Sequence, residues 1–569
     1  MILDHKAIAS QFSGKVYPNP SDPIVQACLA DGVNDFVTNY LGKTYPYVLA
    51  GESIFPDESS GEYVTRDPND PNIVVGRFRE FTPEFTLRLY REFLPKIRAA
   101  GRKFYETVSW QDRVRLLAMI SKVAQERFWI LCAAKAYETG QSIPEQIGET
   151  DEEVDFPLVN AMNLERMHTE KLIASPEFAG DYNGKRYVPH GVFADFSPFN
   201  FPGAIPMDMA TKALAMGNAF IEKSSDKASL SGYLVFETIK IAFERCGIDW
   251  HGVVNYMPGG ANVASALLLS PDIAGLSFTG STAVLKHIRE THGGTARNGW
   301  VGQAPLVYGS AETSGVNVFI VTKHTDVKRA AVQYVKSFIG RQGQKCSSAR
   351  IGFVDASVEV EFTNEVVRVL DAVDYGDVKK GATMGAMITK EARDALLKQI
   401  DDLCHEEAVV SVLYKKQICE SNGHDFAPTV LHYSNVAPRL LMNTEFFGPV
   451  STIVSFTDLT EVQSMCALSR FALTGAFFTD DIEEARQILS FIPAGNVYVE
   501  RKCTGALVET ECFGGLRSAS SPNGIKGIQA LALFGSMQTL SGFYPSPDNK
   551  ARRAWKQMLE DEGFVLSKS

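Results

Sequence analysis

GVFADFSPFNFPGAIPMDMATKALAMGNAFIEKSSDKASLSGYLVFETIKIAFERCGIDWHGVVNYMPGGANVASALLLSPDIAGLSFTGS, residues 191–281, decides the fold. Strands near 191–196, 218–222, 252–257 and 274–278 alternate with helices at 205–216, 229–246 and 261–268, and another helix starts at 281. This β-α-β-α order implies a parallel sheet with helices on both faces. A similar alternation from 317 to 500 gives a second α/β lobe. The fold class is therefore α/β, with two parallel-sheet lobes.

Outward from that core, the turn-rich Arg66-Asp67-Pro68-Asn69-Asp70-Pro71-Asn72 leads into Ile73-Val74-Val75, a short strand. Residues 83–135 have helical spacing, with Val114, Leu117, Ile120, Ala124 and Phe128 as core positions. Between 170 and 196 the pattern shifts to short strands around Asp181-Tyr182-Asn183-Gly184, and Asn-Gly predicts a protruding hairpin. Residues 1–45 read as an irregular extension.

The chain of 569 residues is too long for a single core and is expected to hold two or three domains. Its 56 basic and 67 acidic residues give a net charge of −11, which disfavours nucleic acid and anionic membrane surfaces. The longest uncharged stretches, Gly252–Pro271 and Gly527–Pro547, are broken by Pro and Gly or studded with Ser and Gln, so no membrane span is expected. Nine cysteines without a CxxC pair point to a reducing compartment, and the absence of a leader pattern predicts a cytoplasmic address. His287 and His292, five apart, do not share a helical face, and no metal site is expected.

No G-x-G-x-x-G occurs. In its place Phe278-Thr279-Gly280-Ser281 runs from a strand end through glycine into a helix N-terminus, where free N–H groups suit a phosphate. Taken alone, it reads more often as a mere helix cap. Cys346 lies in the polar, glycine-containing Gly340-Arg341-Gln342-Gly343-Gln344-Lys345-Cys346-Ser347-Ser348, where a basic neighbour can lower a thiol's pKa. Most single cysteines are packing residues, and local chemistry leaves these readings level.

Six ordered motifs change that balance: Ser197-Pro198-Phe199-Asn200-Phe201-Pro202, Glu222-Lys223-Ser224-Ser225-Asp226, Phe278-Thr279-Gly280-Ser281, Glu312-Thr313-Ser314-Gly315, Gly343-Gln344-Lys345-Cys346 and Glu445-Phe446-Phe447-Gly448-Pro449-Val450. Their order and spacing resemble the aldehyde dehydrogenase superfamily over roughly residues 60–545. Asn200 to Lys223 spans 23 residues, Glu312 to Cys346 spans 34, and Cys346 to Glu445 spans 99. Leu473-Thr474-Gly475-Ala476 and the stretch from Ala494-Gly495-Asn496 through Thr504-Gly505-Ala506-Leu507-Val508 to Phe513-Gly514-Gly515 most resemble the Δ1-pyrroline-5-carboxylate (L-glutamate γ-semialdehyde) dehydrogenase branch, as do the extra residues between Ser281 and Glu312.

The resemblance implies two Rossmann-like lobes plus a small β oligomerisation arm, divided as 1–45 N-terminal extension, 46–168 and 190–313 NAD-binding domain, 314–512 catalytic domain, 169–189 and 513–545 arm, and 546–569 C-terminal tail. It implies Cys346 as nucleophile, Asn200 as oxyanion donor and Glu312 as the base that activates water. Lys223, Ser225, Asp226, Gly280, Ser281, Glu445 and Phe447 would contact the cofactor; an acid near the adenosine ribose favours NAD, with NADP still open. Phe201 and Phe513 would stack on a small-molecule aldehyde whose distal carboxylate meets Ser347, Gly505 and Ala506. A homodimer or higher homo-oligomer would pair through the arm.

Several positions depart from the branch. Ser224 replaces a proline, Ser314 a glycine and Val316 a lysine, while Val508-Glu509-Thr510-Glu511-Cys512-Phe513 stands where glycine, glutamine and proline are common. Glu509 and Glu511 would repel an anionic substrate unless they point away. Competing readings are a CoA-acylating enzyme of the same fold, against which Glu312 argues, and a catalytically silent NAD-binding protein, against which Cys346, Asn200 and Glu312 together argue.

Overall fold

The computed structural model describes residues 2–13, 18–56, 61–171, 181–292, 308–406, 410–419, 423–433, 439–521, 526–543 and 548–567. The deciding stretch forms β1 (Val192–Phe196), α1 (Ala204–Ala215), β2 (Ala219–Lys223), α2 (Ser229–Cys246), β3 (Val254–Tyr256), α3 (Ala261–Leu269), β4 (Ile273–Thr279) and α4 (Thr282–His292), followed by β5 (Tyr308–Glu312). The strands lie parallel in the order β5-β4-β1-β2-β3, and Tyr47–Leu49 and Glu52–Ile54 extend the β3 side in antiparallel fashion. Alternate residues feed opposite cores, with Phe193, Phe220 and Val254 on one face and Ala194, Phe196 and Ile221 on the other. The strand order reverses between β1 and β4, and ligands of open α/β sheets bind beyond the carboxyl ends at such a point.

The second sheet contains β6 (Asn317–Val321), then α5 (Val327–Ile339), β7 (Ala349–Asp355), β8 (Val410–Lys415), β9 (Thr429–Tyr433), β10 (Val450–Phe456), β11 (Thr474–Phe478) and β12 (Asn496–Val499). Its order is β8-β9-β10-β7-β6-β11-β12, parallel except for β8. The chain leaves the carboxyl end of β5 at Glu312 and enters β6 at Asn317. The carboxyl edge of one sheet thereby faces the amino edge of the other, and the motif residues collect along this seam.

The described residues of 1–45 are not irregular: they include helices His5–Ser13 and Pro23–Asn39. The second starts at Asp22, whose side chain accepts from Ile24 N–H, with Pro23 in its first turn and Leu29 and Phe36 buried along it. Ile73–Val75 lies inside the longer strand Asp70–Arg79. Val114, Leu117, Ile120, Ala124 and Phe128 are buried on helices, as their spacing predicts.

The Asn-Gly turn is also corrected. Asp181–Pro189 is one strand, paired along its length with Gly535–Phe543, and Asn183 and Gly184 sit opposite Ser541 and Leu540. Part of the expected hairpin, 172–180, lies outside the described residues, as do 293–307 of the Ser281–Glu312 interval. On the other edge of that strand, Val565–Leu566 of the C-terminal segment pairs with Lys185 and Gly184. A Cβ on Gly184 would come 2.8 Å from Leu566 Cδ2, so a larger residue there would have to shift that leucine side chain. None of the nine cysteines is in a disulfide, and no helix among the described residues is long and apolar enough to cross a membrane.

Candidate active site

Cys346 stands in the turn before β7. That turn is built from three consecutive left-handed residues, Arg341 (φ 54°), Gln342 (φ 53°) and Gly343 (φ 66°). Left-handed backbone is costly for non-glycine residues and persists where surrounding contacts over-determine it. Here Arg341 donates to Glu149 at 2.9 Å and to the Asn200 carbonyl, and Gln342 Nε2 donates to the Gly140 carbonyl at 2.7 Å. At Gly343 a Cβ would lie 2.0 Å from the Gly448 carbonyl oxygen, which leaves room only for glycine. Arg350 donates to the carbonyls of Gly343 (2.7 Å) and Lys345 (2.9 Å), and Asn317 Nδ2 donates to those of Cys346 (2.7 Å) and Ser348 (2.8 Å). The nucleophile candidate is held by the backbone around it.

Asn200, after β1, is buried and donates through Nδ2 to the Gln344 carbonyl at 2.9 Å, which brings its amide to the Cys346 turn. Among the described residues its second amide hydrogen has no partner. Glu312 ends β5 and is almost fully buried, with Oε1 lacking a hydrogen-bond partner among the described residues. Burial pushes its carboxyl up to about 7; Lys526 and Lys212 pull against the rise and Asp208 adds to it. The Cys346 thiol is pushed up to about 12, first by burial and then by Glu312 and Glu445, while Lys526 and Arg350 oppose this. The resting pair is therefore a neutral thiol beside a carboxyl poised near neutrality.

Lys223 ends β2, its ammonium held below the ordinary lysine range by burial although Asp226 and Glu222 favour its charge. No carboxylate among the described residues forms an ion pair with it. Ser225 Oγ donates to Asp226 at 3.3 Å, and Asp226 is exposed beside Gly260. Ser281 Oγ accepts from Val284 N–H at 3.3 Å, so it caps α4 beyond the carboxyl end of β4. The neighbouring hydroxyls of Thr279 and Thr282 are buried without hydrogen-bond partners. A free ammonium, a helix N-terminus and unsatisfied hydroxyls at the reversal point form a cradle that fits a dinucleotide. Glu445 accepts from Gly315 N–H at 2.9 Å, and Phe447 meets Phe199 edge-on at 5.9 Å on the same side.

A cavity of about 490 Å³ brings together Cys346, Glu312, Phe201, Ser347, Gly505, Ala506 and Phe513. The Arg341 guanidinium lies 3.8 Å over the Phe201 ring. The two acids of the anchor loop divide. Glu509 turns to Arg166 (2.8 Å) and does not line the cavity, whereas Glu511 lines it but is bound to Arg501 (3.0 Å) and accepts from Leu507 N–H (2.9 Å). Neither offers a bare charge to a substrate.

Sequence reasoning missed an entire wall. The long helix Ile143–Thr169 turns Glu145, Glu149 and Glu152 into the cavity; their spacing of four and three residues puts them on one face, and that acidic stripe is the signal that could have found them. Glu145 pairs with Lys345 at 2.6 Å. Burial raises the Glu152 carboxyl to about 7. Lys526, also missed, sets its ammonium 4.0 Å over Phe156 and 5.9 Å from the Phe513 ring centroid. Among the described residues no group of three His, Cys, Asp or Glu is placed to hold a metal ion.

The sequence model of the aldehyde dehydrogenase family matches residues 90–539. The chain is 26% identical to 1-pyrroline-5-carboxylate dehydrogenase of Staphylococcus haemolyticus, over 89% of this chain and 95% of that one. It is 28% identical to 1-pyrroline-5-carboxylate dehydrogenase 2 of Bacillus subtilis, again over 89% and 95%. The structure of the Thermus 1-pyrroline-5-carboxylate dehydrogenase, solved with bound NAD, superposes with a TM-score of 0.84 at 25% identity, covering 93% of this chain and 98% of that one.

Proposed function

The chain belongs to the aldehyde dehydrogenase family, and from that premise we propose that it oxidises L-glutamate γ-semialdehyde, the open form of 1-pyrroline-5-carboxylate, to glutamate with NAD. The observation that carries the reading is the single cavity in which Cys346 and Glu312 share walls with Phe201, Phe513 and the Gly505-Ala506 turn. The five-carbon chain would lie between the two aromatics, its carboxylate at Ser347 and the backbone N–H groups of Gly505 and Ala506.

Cys346 Sγ attacks the aldehyde carbon and the carbonyl oxygen becomes an alkoxide. The thiol proton leaves to Glu312, a buried carboxylate whose pKa lies near neutrality. The free Asn200 amide hydrogen and the Cys346 N–H receive the alkoxide charge. Lys223 and Glu445 would hold the ribose hydroxyls of NAD, Gly280 and Ser281 its pyrophosphate, and Asp226 the adenosine ribose, where a carboxylate disfavours a 2′-phosphate. The chemistry NAD supplies when bound is a hydride acceptor. Glu312 gives the thiol proton up to solvent before deacylation, then takes a proton from the water whose oxygen adds to the acyl carbon at Cys346, and returns it to Sγ as the carbon–sulfur bond breaks and the acid is released. The hydrolytic base within the cavity supports release to water over transfer to a carrier.

Replacing Cys346 with Ala should abolish aldehyde-dependent NADH formation while NAD still quenches protein fluorescence as in the wild type. Turnover above about a hundredth of wild type would overturn the nucleophile assignment. A panel of aldehydes should place L-glutamate γ-semialdehyde first by kcat/KM; an uncharged aldehyde ranking above it would remove the substrate reading.

A further inference from the structure

The charged groups of the substrate cavity leave a remainder once their ion pairs are drawn. Lys345 is matched by Glu145 (2.6 Å), Arg341 by Glu149 (2.9 Å) and Arg501 by Glu511 (3.0 Å). Two lysines lining the same cavity, Lys526 and Lys502, form no ion pair among the described residues; Lys526 sits over Phe156 and acts on Glu312, which leaves Lys502. Its backbone N–H is occupied, donating to Gln333 at 3.2 Å, which fixes where the side chain starts. Its ammonium reaches the anchor loop: a Cβ placed on Gly505 would be 3.4 Å from Lys502 Nζ. Gly505 has φ 75°, so the turn that offers backbone N–H groups also bends past this ammonium.

The surroundings of Lys502 are cationic. Burial weighs most against its charge, followed by Lys345, Arg501 and Lys336, with Glu145 the attractive neighbour. A partly buried ammonium among like charges is costly unless an anion comes to it. The neighbouring carboxylates are already committed to other cations, so the missing counter-ion is supplied from outside the chain. The space beside it is the end of the cavity assigned above to the substrate's carboxylate.

We propose that Lys502 is a specificity-determining residue whose ammonium binds the carboxylate of the aldehyde substrate beside the Gly505-Ala506 turn. The backbone N–H groups orient that carboxylate and Lys502 supplies its countercharge. This rests on the reading of the substrate as a carboxylate-bearing aldehyde. A backbone-only site would tolerate a neutral polar end group, whereas a site with Lys502 selects for negative charge.

The test compares wild type, Lys502→Met and Lys502→Arg on L-glutamate γ-semialdehyde and on pentanal, an uncharged aldehyde of the same chain length. Lys502→Met should raise KM for the semialdehyde roughly 10–100-fold, with kcat within about threefold, and leave the pentanal constants unchanged. Lys502→Arg should recover most of the loss. Inhibition by glutarate, a five-carbon dicarboxylate, gives a binding readout independent of turnover, and its inhibition constant should weaken by the same factor in Lys502→Met. The proposal is overturned if wild type favours the semialdehyde and Lys502→Met keeps that preference, or if Lys502→Met loses both aldehydes equally. A wild type that treats the two aldehydes alike sinks the substrate reading itself, and the role of Lys502 with it.

Discussion

Glu312 and Cys346 illustrate how a residue's chemistry depends on what encloses it. With the Glu312 carboxyl near 7, kcat should rise through about pH 7 on its acid limb. The charged groups acting on Glu312 are Lys526, Lys212 and Asp208, with Lys526 the strongest of the three. Lys526→Met should move the acid limb to higher pH by roughly half to one unit, because the ionised carboxylate loses a nearby cation; an unmoved limb would show that Lys526 does not act on the base. The same pKa carries a stability consequence. The folded chain holds the Glu312 proton more tightly than an unfolded one with the ordinary value of 4.5, so stability is lost as pH rises from about 4.5 to about 7. Glu312→Gln should melt higher than wild type at pH 8, by up to about 3 kcal/mol, and gain little at pH 5. Equal gains at both pH values would mean that the charge is not the cause. The sequence pointed to Glu312 and Cys346 through motif order and could not reveal their protonation, which follows from burial against groups far away in the chain. Lys526 and Lys502 carried no local signal, since a lysine near glycine is usually a solvated one.

At the scale of elements, the turn before β7 and the arm strand show where local patterns give way. Gly343→Ala should force the backbone away from the Gly448 carbonyl, cost on the order of 1–3 kcal/mol in thermal melting and lower kcat roughly 100-fold by displacing Cys346. A variant that melts early but keeps wild-type kcat would show that the turn does not position the proposed nucleophile. Nothing in the letters Arg341-Gln342 announces left-handed backbone; it is imposed by Glu149, Asn200 and Gly140, which come from other elements. The opposite error occurs at Asn183-Gly184, where a strong local turn signal is overruled by pairing with Gly535–Phe543. Helix Pro23–Asn39 was legible in its Asp-Pro start and its buried Leu29 and Phe36 and went unread. The β-α alternation of 191–281 is legible to within two residues because its strands are short apolar runs buried on both faces.

For the whole molecule, the arm ends in the nine-residue strand Gly535–Phe543, whose second edge has no partner strand among the described residues. Such an edge invites another chain. Sedimentation at micromolar concentration should give a multiple of 62.5 kDa; a monomer there would contradict assembly through the arm. On the opposite side of the arm Val565–Leu566 covers only Lys185 and Gly184 of the central strand. The seam between the two sheets has a different kind of consequence. Asn200 belongs to one lobe and Cys346 to the other, and a 2.9 Å hydrogen bond to Gln344 spans the gap between them. Turnover therefore gauges how the lobes are seated. A slip of about 1 Å would cost roughly 100-fold in rate while every strand kept its neighbours. On warming, the enzyme should fall silent before circular dichroism records any melting, making its activity a finer thermometer than its fold.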